Sequence, residues 1–275
     1  MTSHDAVNIL RKIFQTRKVG HCGTLDPAAT GVLPVAVGQA TKFIEYLAEC
    51  DKTYRAEILF GIETDSGDIT GKIIRSTENF KMPTIDELQA AAKNFIGQIE
   101  QSPPKFSAIK INGRKAYELA RKNIDFEMPR RIVTISRLEI LNAAENFITV
   151  EVDCSKGTYI RSLAADFGAS LNLPSTLKNL QRRRAGAFHI EDAVTLDELK
   201  NLDENVLMPI DACLDFENFN LPPYRLKAYT NGLPTNISHA DATVKVYCEN
   251  NFLGVGKIKL GELRSEKLFK YENLS

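Results

Sequence analysis

Tryptophan is missing from this 275-residue chain, histidine occurs only four times, and neither sign of charge prevails: 35 Lys and Arg face 35 Asp and Glu. Zero net charge excludes a protein that coats nucleic acid by bulk electrostatics, while leaving a local basic face open. There is also no run near the roughly 20 apolar residues that a membrane-spanning helix needs. The most apolar stretch, residues 31–37, is short and broken by Pro34. "MTSHDAV" offers neither a basic n-region nor an apolar h-region, so no secretory signal is read there. The five cysteines, Cys22, Cys50, Cys154, Cys213 and Cys248, are odd in number and scattered, with no C-x-x-C and no histidine at zinc-ligand spacing. A disulfide framework and a metal site are therefore not expected, and a reducing cytoplasm is the expected compartment. Internal repeats and low-complexity segments are absent too.

What is present is an ordinary globular composition, 43% apolar and 25% charged, enough to bury a core. Thr2 and Asp5 stand at capping-box spacing before Ala6, Ile9, Leu10, Ile13 and Phe14, which predicts an amphipathic helix. Ala40, Phe43, Ile44, Leu47 and Ala48 predict a second helix. "TYRAEILFG" alternates Tyr54, Ala56, Ile58 and Phe60 against polar neighbours and predicts a half-buried strand. A helix is predicted from Thr84, capped by Glu87 and stopped at Gly97. Asn112-Gly113 predicts a hairpin turn before a short basic helix. Residues 132–141 and "FITVEVDC" read as strands, and "RSLAADFGASL" as a helix. Beyond residue 216, short strands such as "ATVKVYC" and "NFLGVGKIKL" dominate. The expected class is α+β: a mixed sheet with packed helices over residues 1–215, followed by a small β-rich domain over 216–275.

Three stretches carry candidate chemistry. In "HCGTLDPAATGVLP" Asp26 is the only charged residue, set among apolar neighbours with Pro27 fixing a bend behind it. A carboxylate held there is either a turn cap or a mounted nucleophile or base. "CSKGTYIRS" joins a strand to a helix and offers Lys156, Tyr159 and Arg161; it reads as a helix entry with solvent-facing charges or as a site loop. Lys105, Lys110, Arg114, Lys115, Arg121 and Lys122, with Phe106 and Tyr117 interleaved, and later "QRRR" with Arg182, form either a solvated face or a surface that tracks phosphates. "GIETDSGDITG" lacks the core of a calcium loop and reads as a tight polar turn.

Taken together and in order, "GHCGTLDPAATGVLPVAVGQATK", "DKTYRAEILFGIETDSGD", "SPPKFSAIKINGRKAYELAR" and "CSKGTYIRSLAADFG" closely resemble the bacterial TruB family. Its members are tRNA pseudouridine synthases acting on the T-loop uridine at position 55. The tail "FLGVGKIKLGELRSEKLF" resembles the family's small PUA-like RNA-binding domain. The resemblance implies Asp26 as catalytic nucleophile, Tyr54 as the aromatic stacking on a flipped uracil, and Arg161 as the partner of the acid. It further implies Tyr159 and Leu180 as walls of the uridine pocket and His21 as a T-loop contact. Lys110, Arg114, Lys115, Lys156 and Arg182 are expected to bind RNA, the first three from a mobile insertion. Uridine isomerisation has no net redox or hydrolytic step, so no cofactor is expected. The expected partner is the tRNA T-arm, with no membrane, no obligatory protein partner and a monomeric state.

Family members usually begin with a strand and a K-P-x-G-x-[ST]-S motif. Here Met1-Thr2-Ser3 matches only its tail, so that strand and loop are expected to be missing. Three other readings compete. A non-catalytic RNA-binding relative is opposed by the intact Asp26, Tyr54 and Arg161. The guide-RNA-dependent branch lacks the insertion that is present here. A glycosidase would want two carboxylates flanking the bond, and the Asp26 loop supplies one.

Overall fold

The computed structural model describes residues 1–122, 124–201 and 206–270. The chain divides into two compact units. The first, residues 25–32 and 50–192, is built on a seven-stranded mixed sheet. Its strands are β1 (Thr30–Gly31), β2 (Lys52–Phe60), β3 (Gly97–Gln101), β4 (Arg131–Ala143), β5 (Phe147–Cys154), β6 (Ser175–Ala185) and β7 (Phe188–His189). Their order across the sheet is β7-β6-β2-β5-β4-β3, all antiparallel, with β1 added parallel to β6. The predicted alternation holds on β2 and β5: Ala56, Ile58 and Phe60, and Ile148, Val150, Val152 and Cys154, are buried.

Two helices cover this apolar face. Helix α1 (Ile85–Lys93) starts at the Thr84–Glu87 capping box and buries Leu88, Ala91 and Ala92. It stops at Asn94, earlier than expected, because Gly97 at φ +107° already opens β3. Helix α2 (Ile160–Ser170) buries Leu163, Ala164 and Phe167. The Phe167 ring meets Phe60 and Phe95 at 6.4 and 5.7 Å. Packing of this kind supplies the apolar burial that holds sheet and helices together. Asn112-Gly113 closes the expected hairpin, Lys110–Ile111 against Arg114–Lys115, and the helix Ala116–Arg121 follows.

Strand β6 has no counterpart among the predicted strands, its arginines reading only as a charge run. Its register on β2 shifts between Leu177 and Asn179 and again between Arg182 and Arg184. Two such irregularities break the period-two signal.

The second unit comprises residues 1–24, 33–49 and 193–275. Thr2 and Asp5 cap the helix Ser3–Ile13 reciprocally, and Val7 and Leu10 pack with Val19 and Leu199. Where one helix is predicted over residues 40–48, a 3-10 turn, Gly38–Phe43, precedes a short α-helix, Ile44–Ala48. A five-stranded sheet follows in the order Glu217–Asn220, Ala242–Cys248, Asn251–Lys259, Glu262–Leu268, Thr235–Asn236. Tyr229, Val244, Val246, Leu253, Ile258 and Leu263 form its core. Among the described residues, no helix is long and apolar enough to cross a membrane.

Candidate active site

The Asp26 segment is fixed at both ends. Ala29 N–H donates to the Asp26 carbonyl at 2.9 Å, closing a turn with Pro27 at its second position, where the ring's fixed φ favours the bend. Further along, Gly31 pairs with Arg182 in the parallel β1–β6 bridge, and Val32 N–H donates to the Arg182 carbonyl at 2.9 Å. Gly31 sits at φ +102°, and a Cβ there would lie 2.2 Å from that carbonyl oxygen. Only glycine fits so close an approach.

Arg161, on the first turn of α2, reaches this loop across 135 residues of sequence. Its Nε donates to Asp26 Oδ2 at 2.8 Å and its Nη2 to Oδ1 at 2.9 Å. Such a fork is stronger and more directional than a single neutral hydrogen bond. The arginine side chain is 5% exposed and the carboxylate 33%. The cation is thus sealed while the acid stays open to a reactant. The remaining donors of Arg161 are also satisfied. Nη1 donates to Ser66 O at 3.1 Å, and Nη1 and Nη2 share the Phe106 carbonyl at 3.2 Å. Asp68 Oδ2 lies 4.0 Å from Nε. The stretch read as a polar turn therefore wraps the arginine, and the insertion supplies an acceptor to it.

Tyr54 and Leu180 lie on neighbouring strands of the same sheet. In the β2–β6 register Tyr54 opposes Arg182, and Ala56 opposes Leu180. Leu180 is buried, whereas Tyr54 packs against the core and keeps part of its surface open. Burial pushes the Tyr54 phenol upward, and the Arg182 guanidinium beside it opposes that rise. Tyr159 immediately precedes α2, where the fully buried Gln101 clamps it. Tyr159 N–H donates to Gln101 Oε1 at 2.8 Å, and Gln101 Nε2 donates to the Tyr159 carbonyl at 3.0 Å. Arg131 lies over the Tyr159 ring at 5.7 Å.

The other expected residues are placed differently. His21 belongs to the second unit, on the strand Val19–His21, where Gly23 N–H donates to its Nδ1 at 3.4 Å. Lys110, Arg114 and Lys115 are exposed on the hairpin, and Lys156 is exposed on the turn before α2. Arg182, expected to bind RNA, is 2% exposed and donates from Nε to the Val32 carbonyl at 2.7 Å. Its place on a central strand turns it inward. The sequence does not single out Asp68, Ser66 or Gln101 as site residues, and it marks Phe106 only as an aromatic within the basic cluster. Three of them act through backbone carbonyls or a buried amide, for which side-chain pattern carries no signal.

The family profile described as "TruB family pseudouridylate synthase (N terminal domain)" matches residues 11–160. A relative from Francisella philomiragia named tRNA pseudouridine synthase B is 40% identical over 275 residues, covering 98% of this chain and 91% of its own. Another of that name, from Caldanaerobacter subterraneus, is 41% identical over 273 residues, with 98% and 95% covered. Among solved structures, that of an H/ACA RNP bound to a substrate RNA containing 2'-deoxyuridine aligns with a TM-score of 0.74 at 22% identity, covering 99% of this chain and 83% of that one. A Cbf5-Nop10-Gar1 complex aligns at 0.72 and 24% identity, covering 94% and 74%. These structural likenesses establish a shared fold.

Proposed function

This chain belongs to the TruB family of pseudouridylate synthases, and we propose that it converts uridine to pseudouridine at position 55 in the T-loop of tRNA, with Asp26 as nucleophile on a flipped-out base. The observation that carries this reading is the pairing of Asp26 with a sealed Arg161, its carboxylate left open on the unit that also holds Tyr54.

The reaction breaks the C1′–N1 bond, turns the base and joins C1′ to C5. The C5 proton leaves to solvent while N1 gains one, so no oxidant, reductant or cofactor enters the balance. Asp26 supplies the attacking oxygen. Arg161 occupies one lone pair on each of its oxygens and fixes the carboxylate plane. Extruding the uridine costs a few kcal/mol, and stacking on the Tyr54 ring returns about 1–3 kcal/mol of it. Leu180 and Tyr159 wall the pocket, and His21 meets the T-loop. Lys110, Arg114, Lys115 and Lys156 contact phosphates, and residues 216–275, of which the last five lie outside the described residues, bind RNA as a PUA-like domain. The protein works in the cytoplasm as a monomer, without an obligatory protein partner.

The decisive experiment measures tritium release from tRNA transcript labelled with tritium at uridine C5. The parent protein is expected to release tritium. Asp26→Asn is expected to release none above background while still binding tRNA. Equal release from the two proteins would remove Asp26 from the chemistry.

A further inference from the structure

A buried guanidinium is costly unless its donors are paired, since desolvating the charge takes several kcal/mol. Arg182 is such a group, and the reaction outlined above gives it no role. Its surroundings are specific. Its Nε donates to the Val32 carbonyl at the exit of the Asp26 loop, and its own carbonyl receives the Val32 N–H. Its backbone is so close to Gly31 that no side chain fits between them. On its other flank the directly opposed residue is Tyr54. Directly opposed residues of paired strands point to the same face and touch there. The influence of Arg182 on the phenol, described above, agrees with that placement.

We infer that Arg182 is a positioning residue: anchored on the Asp26 loop through Val32, it sets the Tyr54 hydroxyl in a fixed relation to that loop. The inference rests on the function proposed above and adds a division of labour to it. Arg161 orients the carboxylate, whereas Arg182 ties the segment bearing that carboxylate to the ring facing the substrate. A planar guanidinium suits this task because its donors form a rigid fork whose separate edges meet two partners in a fixed relation, whereas an ammonium is a point charge with rotatable donors on a flexible stem. At 2% exposure, Arg182 is assigned to the loop and the ring rather than to a phosphate.

The test is a double-mutant cycle read by single-turnover tritium release at saturating tRNA. Arg182→Gln is expected to slow the isomerisation about 30-fold in the parent background and only about 3-fold when Tyr54→Phe is already present. The tRNA dissociation constant is expected to stay within about 3-fold of the parent's. Arg182→Lys keeps the charge and carries the same cycle should the glutamine variant fail to fold; it is expected to lie between parent and Arg182→Gln. Equal losses in the two backgrounds would overturn the inference. A loss confined to tRNA affinity, with the saturated rate unchanged, would overturn it too and restore the phosphate-binding role. Absence of release from the parent protein would defeat the functional reading itself, and the inference with it.

Discussion

Arg161 has five N–H donors, and three separate stretches of chain satisfy them: the Asp26 loop, the turn at Ser66 and the insertion at Phe106. Removing the guanidinium leaves a half-buried carboxylate and two carbonyls without their partner. Arg161→Met is therefore expected to lower unfolding stability by about 3 kcal/mol, read from urea melts, and to abolish turnover. A melt indistinguishable from the parent's would show that the pair contributes nothing to the fold. At this scale the residues with distinctive neighbours were legible. "GTLDPAATG" and "TYIRS" mark Asp26 and Arg161 through resemblance, although no periodicity in the chain says that they meet. The acceptors Ser66 O and Phe106 O were not legible, because every residue but proline carries the same peptide group.

Elements with local causes are legible in the sequence. Two capping boxes place helix starts at Thr2 and Thr84, and Asn112-Gly113 places a hairpin. Strand β6 was hidden because its stability comes from partners on both sides rather than from its own pattern. Its junction with β1 is sensitive to a single carbon. Gly31→Ala, strained at its positive φ and in collision with Arg182, is expected to destabilise the protein by about 2 kcal/mol or more and to reduce turnover beyond that loss. Thermal melts alongside tritium release separate the two effects.

Across the sheet, Asp153 on β5 is held by Thr53 on β2, by Arg137 on β4 at 2.9 Å and by Arg184 on β6 at 3.9 Å. Burial pushes its carboxyl upward, but the Thr53 and Arg137 hydrogen bonds together with the charges of Arg137 and Arg184 outweigh it, leaving the group below its ordinary 3.8. A carboxyl depressed by folding stabilises the protein above its unfolded pKa, and that contribution disappears as pH falls through the folded value. Asp153→Asn is accordingly expected to melt at lower urea than the parent at pH 7, with the gap closing as the pH drops below about 4. A gap independent of pH would assign the loss to packing instead.

At the scale of the molecule, zero net charge conceals a local concentration. Lys110, Arg114 and Lys115 cluster on one exposed hairpin, and the Tyr117 ring lies 5.5 Å from both Lys115 and Arg121. Each cation withdrawn from a phosphate lowers the slope of log affinity against log salt by about one unit. Replacing the three cations by glutamine is expected to weaken tRNA binding and flatten that slope by about two to three units, as measured by filter binding across a salt series. An unchanged slope would move RNA recognition elsewhere. The sequence showed these charges but not their common surface, which depends on the hairpin that brings strand ends together.

The Phe106 carbonyl ties that same insertion to Arg161 and so to the candidate site. Were the segment to swing outward, Arg161, whose side chain is 5% exposed, would lose an acceptor that two of its nitrogens share. An orphaned donor of that kind costs about 1–3 kcal/mol. The insertion is thus part of what holds the guanidinium, and through it the carboxylate plane of Asp26.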